Sequence, residues 1–189
     1  GQFYFTEGQR MLANNSAVYL TKPDTQTFLD EWTALVKSGS GERGLFNRGG
    51  LAQTLPERRL KQWPGGIYPS FGTNPCGEII LQSKQFCNLS EVVARAEDTE
   101  ETLLKKVRIA TMLVTYQSAL TYFPYLSREW KKNCEAERLL GVSITGQWDC
   151  PLVRDPKMLE KMKAVAIETN KKFAKRLSVS ASTCITCVK

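Results

Sequence analysis

The sequence predicts an α/β fold in which at least part of the sheet is parallel. Three observations predict it. Short β-rich runs alternate with longer segments of helical periodicity. Of the 189 residues, 42% are hydrophobic, enough to bury a core and too many for a disordered chain. No internal repeat or low-complexity linker interrupts the alternation. Strands separated by helices are the pattern of βαβ units, and the length suits one domain or a large piece of one.

In chain order, residues 17–20 read as a short strand. Asp24 reads as an N-cap, and Thr27, Phe28, Trp32, Leu35 and Val36 supply a helical stripe that runs to about Lys37. Ser38-Gly39-Ser40-Gly41 ends that helix. Residues 44–47 form a second strand, followed by a weak helix that stops before Pro64-Gly65-Gly66. Residues 78–82 are β-like, bounded by Pro75-Cys76-Gly77 and a polar turn around Ser83-Lys84. Glu100 to about Phe123 is the strongest helix, with Leu103, Val107, Ala110 and Val114 on one face and Pro124 as its stop. A helix over 128–139, a buried strand over 141–146, an amphipathic helix over 158–177 and a final strand over 184–188 complete the pattern. The aromatic residues Trp32, Tyr116 and Trp148 are expected in the core.

Composition removes whole classes of chemistry. Histidine is absent, which excludes Ser-His-Asp and Cys-His catalysis, HExxH zinc sites and a His-held haem. Six cysteines without a basic, apolar secretory leader at Gly1-Gln2-Phe3 read as reduced thiols of a cytoplasmic protein. No run of about 18 apolar residues is present, so no membrane helix is expected. The net charge of +7 raises the possibility of a basic nucleotide- or nucleic-acid-binding module. Against it, the lysines of 157–175 interleave with apolar residues at helical spacing, as on a solvated helix face. A strand-like run at the last residue and no initial Met suggest a chain cut from something longer.

The chemistry concentrates in Gly72-Thr73-Asn74-Pro75-Cys76-Gly77-Glu78, followed by Phe86-Cys87-Asn88-Leu89-Ser90. In extended chain, side chains alternate with period two, so Asn74, Cys76 and Glu78 are expected to share one side: amide, thiol and carboxylate together. Cys87 follows Cys76 by eleven residues, enough for a hairpin to return it to within roughly 10 Å, two strand spacings. Spacing alone leaves a plainer reading open, with Cys76 a structural thiol and Glu78 a solvated strand residue.

Asn-Pro-Cys-Gly-Glu with Cys-Asn-Leu downstream resembles the active-site finger loop of ribonucleotide reductases, in the Pro-Cys-Gly form of their adenosylcobalamin-dependent class. Ala13-Asn14-Asn15-Ser16-Ala17-Val18, Gly41-Glu42-Arg43-Gly44-Leu45-Phe46-Asn47, Gly141-Val142-Ser143-Ile144-Thr145-Gly146 and Ile185-Thr186-Cys187-Val188-Lys189 fit the same family in the same order. The similarity is greatest to the monomeric type that acts on ribonucleoside triphosphates. It implies that residues 1–189 are part of a ten-stranded α/β barrel, with Cys76 on a loop entering its centre.

The resemblance also implies roles. Cys76 corresponds to the thiyl that takes the substrate's 3′-hydrogen, Glu78 to the general base on the 3′-hydroxyl, and Asn74 to a group holding the substrate hydroxyls. Cys87 corresponds to one of two thiols that reduce the intermediate and end as a disulfide. Adenosylcobalamin is the implied cofactor. A ribonucleoside triphosphate, a deoxynucleotide effector and a thioredoxin-like or small dithiol reductant are the implied partners, with no direct nucleic-acid binding. Asn14, Asn15 and Ser16 line the nucleotide pocket on this resemblance; Asn and Ser equally favour a turn before the first strand. The family's partner for Cys87 lies upstream and its phosphate turn downstream, so this chain alone is expected to be inactive.

Cys184-Ile185-Thr186-Cys187 offers a CxxC, but one such pair without His cannot complete a four-ligand site, and strand positions three apart face opposite ways. No metal is expected there. Cys134 and Cys150 have no partner in the sequence and read as structural.

Overall fold

A computed structural model describes residues 6–9, 15–39, 44–63 and 71–186. The chain forms two compact units, Gly1–Ser83 and Lys84–Lys189. No helix among the described residues is long and apolar enough to cross a membrane.

In the first unit, β1 (Ala17–Tyr19), α1 (Thr25–Ser38) and β2 (Leu45–Asn47) make a βαβ unit with the strands parallel, Ala17 opposite Leu45 and Tyr19 opposite Asn47. Asp24 caps α1 as its sequence predicts: its carboxylate accepts from the Thr27 N–H at 2.9 Å and from the Thr27 hydroxyl. Gly39 closes the helix in the left-handed region at φ 64°. The stripe behaves differently from expectation. No residue of α1 is buried; Phe28 and Trp32 stack on each other at 6.4 Å, and Trp32 stays about half exposed.

The first unit's small core lies elsewhere. After the short helices α2 (Leu51–Thr54) and α3 (Glu57–Leu60), β3 (Phe71–Thr73) and β4 (Ile80–Gln82) form an antiparallel hairpin. Leu51 and Phe71 are buried, with Phe46, Leu55, Leu60, Trp63 and Ile80 packed around them. Trp63 meets the Phe71 ring edge-on at 6.1 Å, and the buried Arg59 guanidinium lies 5.8 Å from it.

The second unit is a parallel sheet in the order β5 (Asn88–Val93), β6 (Leu140–Thr145), β7 (Ile185–Thr186). The helices α4 (Glu100–Ala119), α5 (Arg128–Glu137) and α6 (Pro156–Arg176) connect its strands. The predicted α4 stripe of Leu103, Val107, Ala110 and Val114 is buried against Val92 of β5, Leu140, Val142 and Ile144 of β6, and Met158, Met162 and Ala166 of α6. Cys150 is fully buried in the same core. The lysines of α6 face solvent, as the helical spacing predicts.

Two expectations are corrected. The strongest helix stops at Ala119, before Pro124. Thr111, Thr115 and Ser118 turn their hydroxyls back onto the carbonyls of Val107, Thr111 and Thr115. The Arg138 guanidinium then takes the Ser118 carbonyl at 2.5 Å, satisfying the helix end from a distant segment. Of the aromatics expected in the core, Trp148 is 81% exposed with the Arg154 guanidinium 5.0 Å from its ring, and Tyr116 packs half-exposed against Phe173.

Candidate active site

Asn74, Cys76 and Glu78 lie on the tip of the β3–β4 hairpin. The Gly77 N–H donates to the Asn74 carbonyl at 3.0 Å, closing a β-turn with Pro75 and Cys76 at its centre. Pro75 supplies the fixed φ that the second position of such a turn favours, and Gly77 follows at φ 86°, open to glycine at no steric cost. The Asn74 N–H donates to the Ile79 carbonyl at 3.1 Å, and the Ile79 N–H donates back to Asn74 Oδ1 at 3.0 Å.

The segment is therefore a turn, not the extended strand that the period-two argument assumed, and β4 begins only at Ile80. Asn74, Cys76 and Glu78 share one hairpin tip. Cys76 and Glu78 are exposed and Asn74 is half-buried; a Cβ placed on Gly77 would meet nothing within 4 Å. Burial of Phe71 at the base of the hairpin holds this open tip in place.

Ser16 stands against a second motif. A Cβ on Gly44 would come within 2.6 Å of Ser16 Oγ, and the Ala17 N–H donates to the Gly44 carbonyl at 2.8 Å. Asn15 and Ser16 are half-buried in the irregular chain entering β1. Asn14 lies outside the described residues.

Cys87 belongs to the second unit, on the approach to β5. The preceding Phe86 stacks on Trp130 at 4.6 Å and meets Phe123 edge-on at 5.4 Å. The Phe86 N–H donates to Cys134 Sγ at 3.4 Å, and Asn88 starts the strand by donating from its backbone and its side chain to the Leu139 carbonyl. Cys87 and Cys134 line one cavity of about 260 Å³ together with Thr121 and Phe123. Burial pushes the Cys134 thiol above its ordinary pKa, against the smaller opposing effect of the Phe86 N–H. Sequence reasoning gave Cys134 no partner, because the group that contacts it is 48 residues away.

Among the described residues, no cluster of three Cys, Asp or Glu side chains could hold a metal ion. Cys184 is half-buried before β7, and Cys187 lies outside the described residues. The rival reading requires a continuous basic face, but on α6 the lysines share the surface with exposed Glu160 and Glu168, and Lys161 is paired with Glu100 at 2.7 Å.

Part of the sequence is similar to adenosylcobalamin-dependent ribonucleoside-triphosphate reductases. The chain is 32% identical over 83 residues to the adenosylcobalamin-dependent ribonucleoside-triphosphate reductase of Lactobacillus leichmannii. It is 35% and 33% identical over 78 residues to the enzymes of that name from Lactobacillus gasseri and Lactobacillus acidophilus. The chain resembles these reductases over part of its length. The matches cover 44% and 41% of this chain, and only 11% and 10% of the relatives. No family model matches the chain. No solved structure matches it.

Proposed function

We propose that this chain carries part of the catalytic site of an adenosylcobalamin-dependent ribonucleoside-triphosphate reductase, within the ten-stranded barrel that the resemblance implies. The observation that carries the reading is one hairpin tip holding Asn74, an exposed Cys76 and an exposed Glu78, in a chain whose sequence matches such enzymes.

The donor set fits the cofactor at one point. The sequence has no histidine to ligate cobalt, but the Cys76 thiol is exposed and is chemically suited to accept a radical. The radical at Cys76 would come from adenosylcobalamin, whose cobalt–carbon bond can break homolytically when it is bound. The chain's own residues do the rest. Cys76, as a thiyl, takes the hydrogen from the 3′-carbon of the ribose. Glu78 accepts the 3′-hydroxyl proton while a thiol of the reducing pair gives its proton to the 2′-hydroxyl, which leaves as water. Asn74 uses Oδ1 to hold the turn, so its amide nitrogen is the group that addresses the substrate hydroxyls. Cys87 supplies one of the two thiols whose oxidation to a disulfide provides the two reducing electrons. A thioredoxin-like or small dithiol resets that disulfide, and a deoxynucleotide effector regulates the site. The reading places the protein in the cytoplasm, where thiols stay reduced.

The test is conversion of a ribonucleoside triphosphate to its 2′-deoxy product with a dithiol, by the chain within a polypeptide of the relatives' full length. Product that depends on adenosylcobalamin supports the reading, and none with the cofactor bound refutes it. The chain alone is expected to give no product.

A further inference from the structure

Cys87 stands between residues that one short stretch of chain holds in turn. Gln85 Nε2 donates to the Asn133 carbonyl at 3.1 Å and to Glu137 Oε2 at 2.9 Å. The Phe86 N–H donates to Cys134 Sγ, and the Asn88 N–H and side-chain amide donate to the Leu139 carbonyl at 3.0 and 3.1 Å. The end of α5 and the residues just after it therefore fix the chain on both sides of Cys87. Glu137 also reaches a further segment. Its Oε1 accepts from the Thr183 hydroxyl at 3.0 Å, and its carbonyl accepts from the Thr183 N–H at 2.9 Å. One residue thus ties the approach to β5 to the approach to β7.

Local forces do not favour a glutamate in this place. A negative side chain at a helix C-terminus opposes the helix dipole, and a buried carboxylate gives up its hydration. Glu137 is the last residue of α5 and is fully buried. What it contributes is placement: Gln85, two residues before Cys87, is itself buried with its amide held on two acceptors. We propose that Glu137 is a positioning residue for Cys87, acting through Gln85. The role rests on the reductase reading, in which Cys87 is one of the two reducing thiols. Glu137 acts on no reacting atom itself; it keeps the backbone at Cys87 from shifting. A displacement of about 1 Å can cost on the order of 10²-fold in rate. Loss of Glu137 or Gln85 therefore slows reduction of the intermediate, while the substrate contact assigned to Asn74 is untouched.

The test compares Glu137→Gln, Glu137→Ala and Gln85→Ala with the parent in the full-length polypeptide, by two measurements. Glutamine keeps one oxygen to accept and gains an amide from which Gln85, its own amide turned over, accepts in return; it is the conservative variant. The first measurement is 2′-deoxynucleotide formation from a ribonucleoside triphosphate with adenosylcobalamin and a dithiol. Both alanine variants are expected to lose at least about tenfold in kcat with KM within about twofold, and Glu137→Gln to stay within about threefold of the parent. The second is iodoacetamide labelling of Cys87 without substrate, mapped by mass spectrometry. It should quicken at least about tenfold in the alanine variants and not in Glu137→Gln, with Cys76 labelling in the same molecules unchanged. If Glu137→Ala is unfolded, Gln85→Ala carries the comparison. A parent without product overturns the reductase reading, and the labelling alone then decides whether Glu137 fixes Cys87. Cys87 labelling in Gln85→Ala no faster than in the parent, a rise in KM that matches the loss in kcat, or Glu137→Gln as slow as Glu137→Ala would each overturn the proposal.

Discussion

Replacing Gly146 by alanine tests how the second unit's sheet is closed. Gly146 follows β6 directly and adopts φ 76°, where an L-residue costs roughly 1–2 kcal/mol. The added Cβ would stand 2.2 Å from the Ala94 carbonyl oxygen and 3.2 Å from its carbon, both backbone atoms that cannot rotate away. Relief requires moving the end of β5, which is tied to β6 by the Ala94 N–H donating to the Thr145 carbonyl at 2.9 Å. Overpacking of this kind typically costs about 1–3 kcal/mol. The sum, about 2–5 kcal/mol, is a large part of the 5–15 kcal/mol by which domains are commonly stable. At about 1.4 kcal/mol per tenfold, protection of the β5 and β6 amides should fall by at least about 30-fold. Native-state hydrogen exchange at Val92 and Ile144 reads this locally, whatever the first unit does. A change below about threefold would refute the claim that backbone approach requires glycine here.

Phe71→Ala removes the anchor under the hairpin and should cost about 3–5 kcal/mol, seen as faster exchange at the Gly77 and Ile79 amides; unchanged exchange would show the tip to be self-supporting. Asp98 is expected to set part of the acid limb of stability. The Lys106 ammonium at 2.6 Å, helped by the Thr102 hydroxyl and the Arg95 N–H, holds its carboxyl below the ordinary value of about 3.8. The unfolded chain then binds the proton more readily, so this contribution is present above about pH 3.8 and lost as pH falls through the lower folded value. Asp98→Asn should lower stability at neutral pH and flatten the loss on acidification; an unchanged acid limb measured by urea midpoints would contradict it.

The elements legible in the sequence are those whose signals are local. The stripe Leu103, Val107, Ala110 and Val114 is a period, Asp24 is a cap, and both act within a turn of the residues they organise. The α1 stripe has the same period and remains uncovered, because periodicity shows which face is apolar and not whether anything packs on it. The end of α4 was misread because Pro124 is a visible stop, whereas Arg138, the group that takes the Ser118 carbonyl, comes from another element. β5 went unseen because Ser90 and Glu91 break its apolar run. In the site, the residue types were legible and their geometry was not. Period two holds only while the chain is extended, and Pro75 and Gly77 fold it into a turn. Cys134 was invisible as a neighbour of Phe86 for the same reason as Arg138: the contact is made in space, not in sequence.

The central claim is that Cys76 is the sulfur that takes the substrate's 3′-hydrogen, and Cys76→Ser tests it most directly. The substitution exchanges sulfur for oxygen on an exposed turn residue, so folding should be unaffected. The measurement is 2′-deoxynucleotide formation from a ribonucleoside triphosphate, with adenosylcobalamin and a dithiol, by parent and variant in the full-length context. The account predicts product from the parent and none above background from Cys76→Ser, with equal substrate binding and equal unfolding midpoints. Product from the serine variant at the parental rate would contradict it.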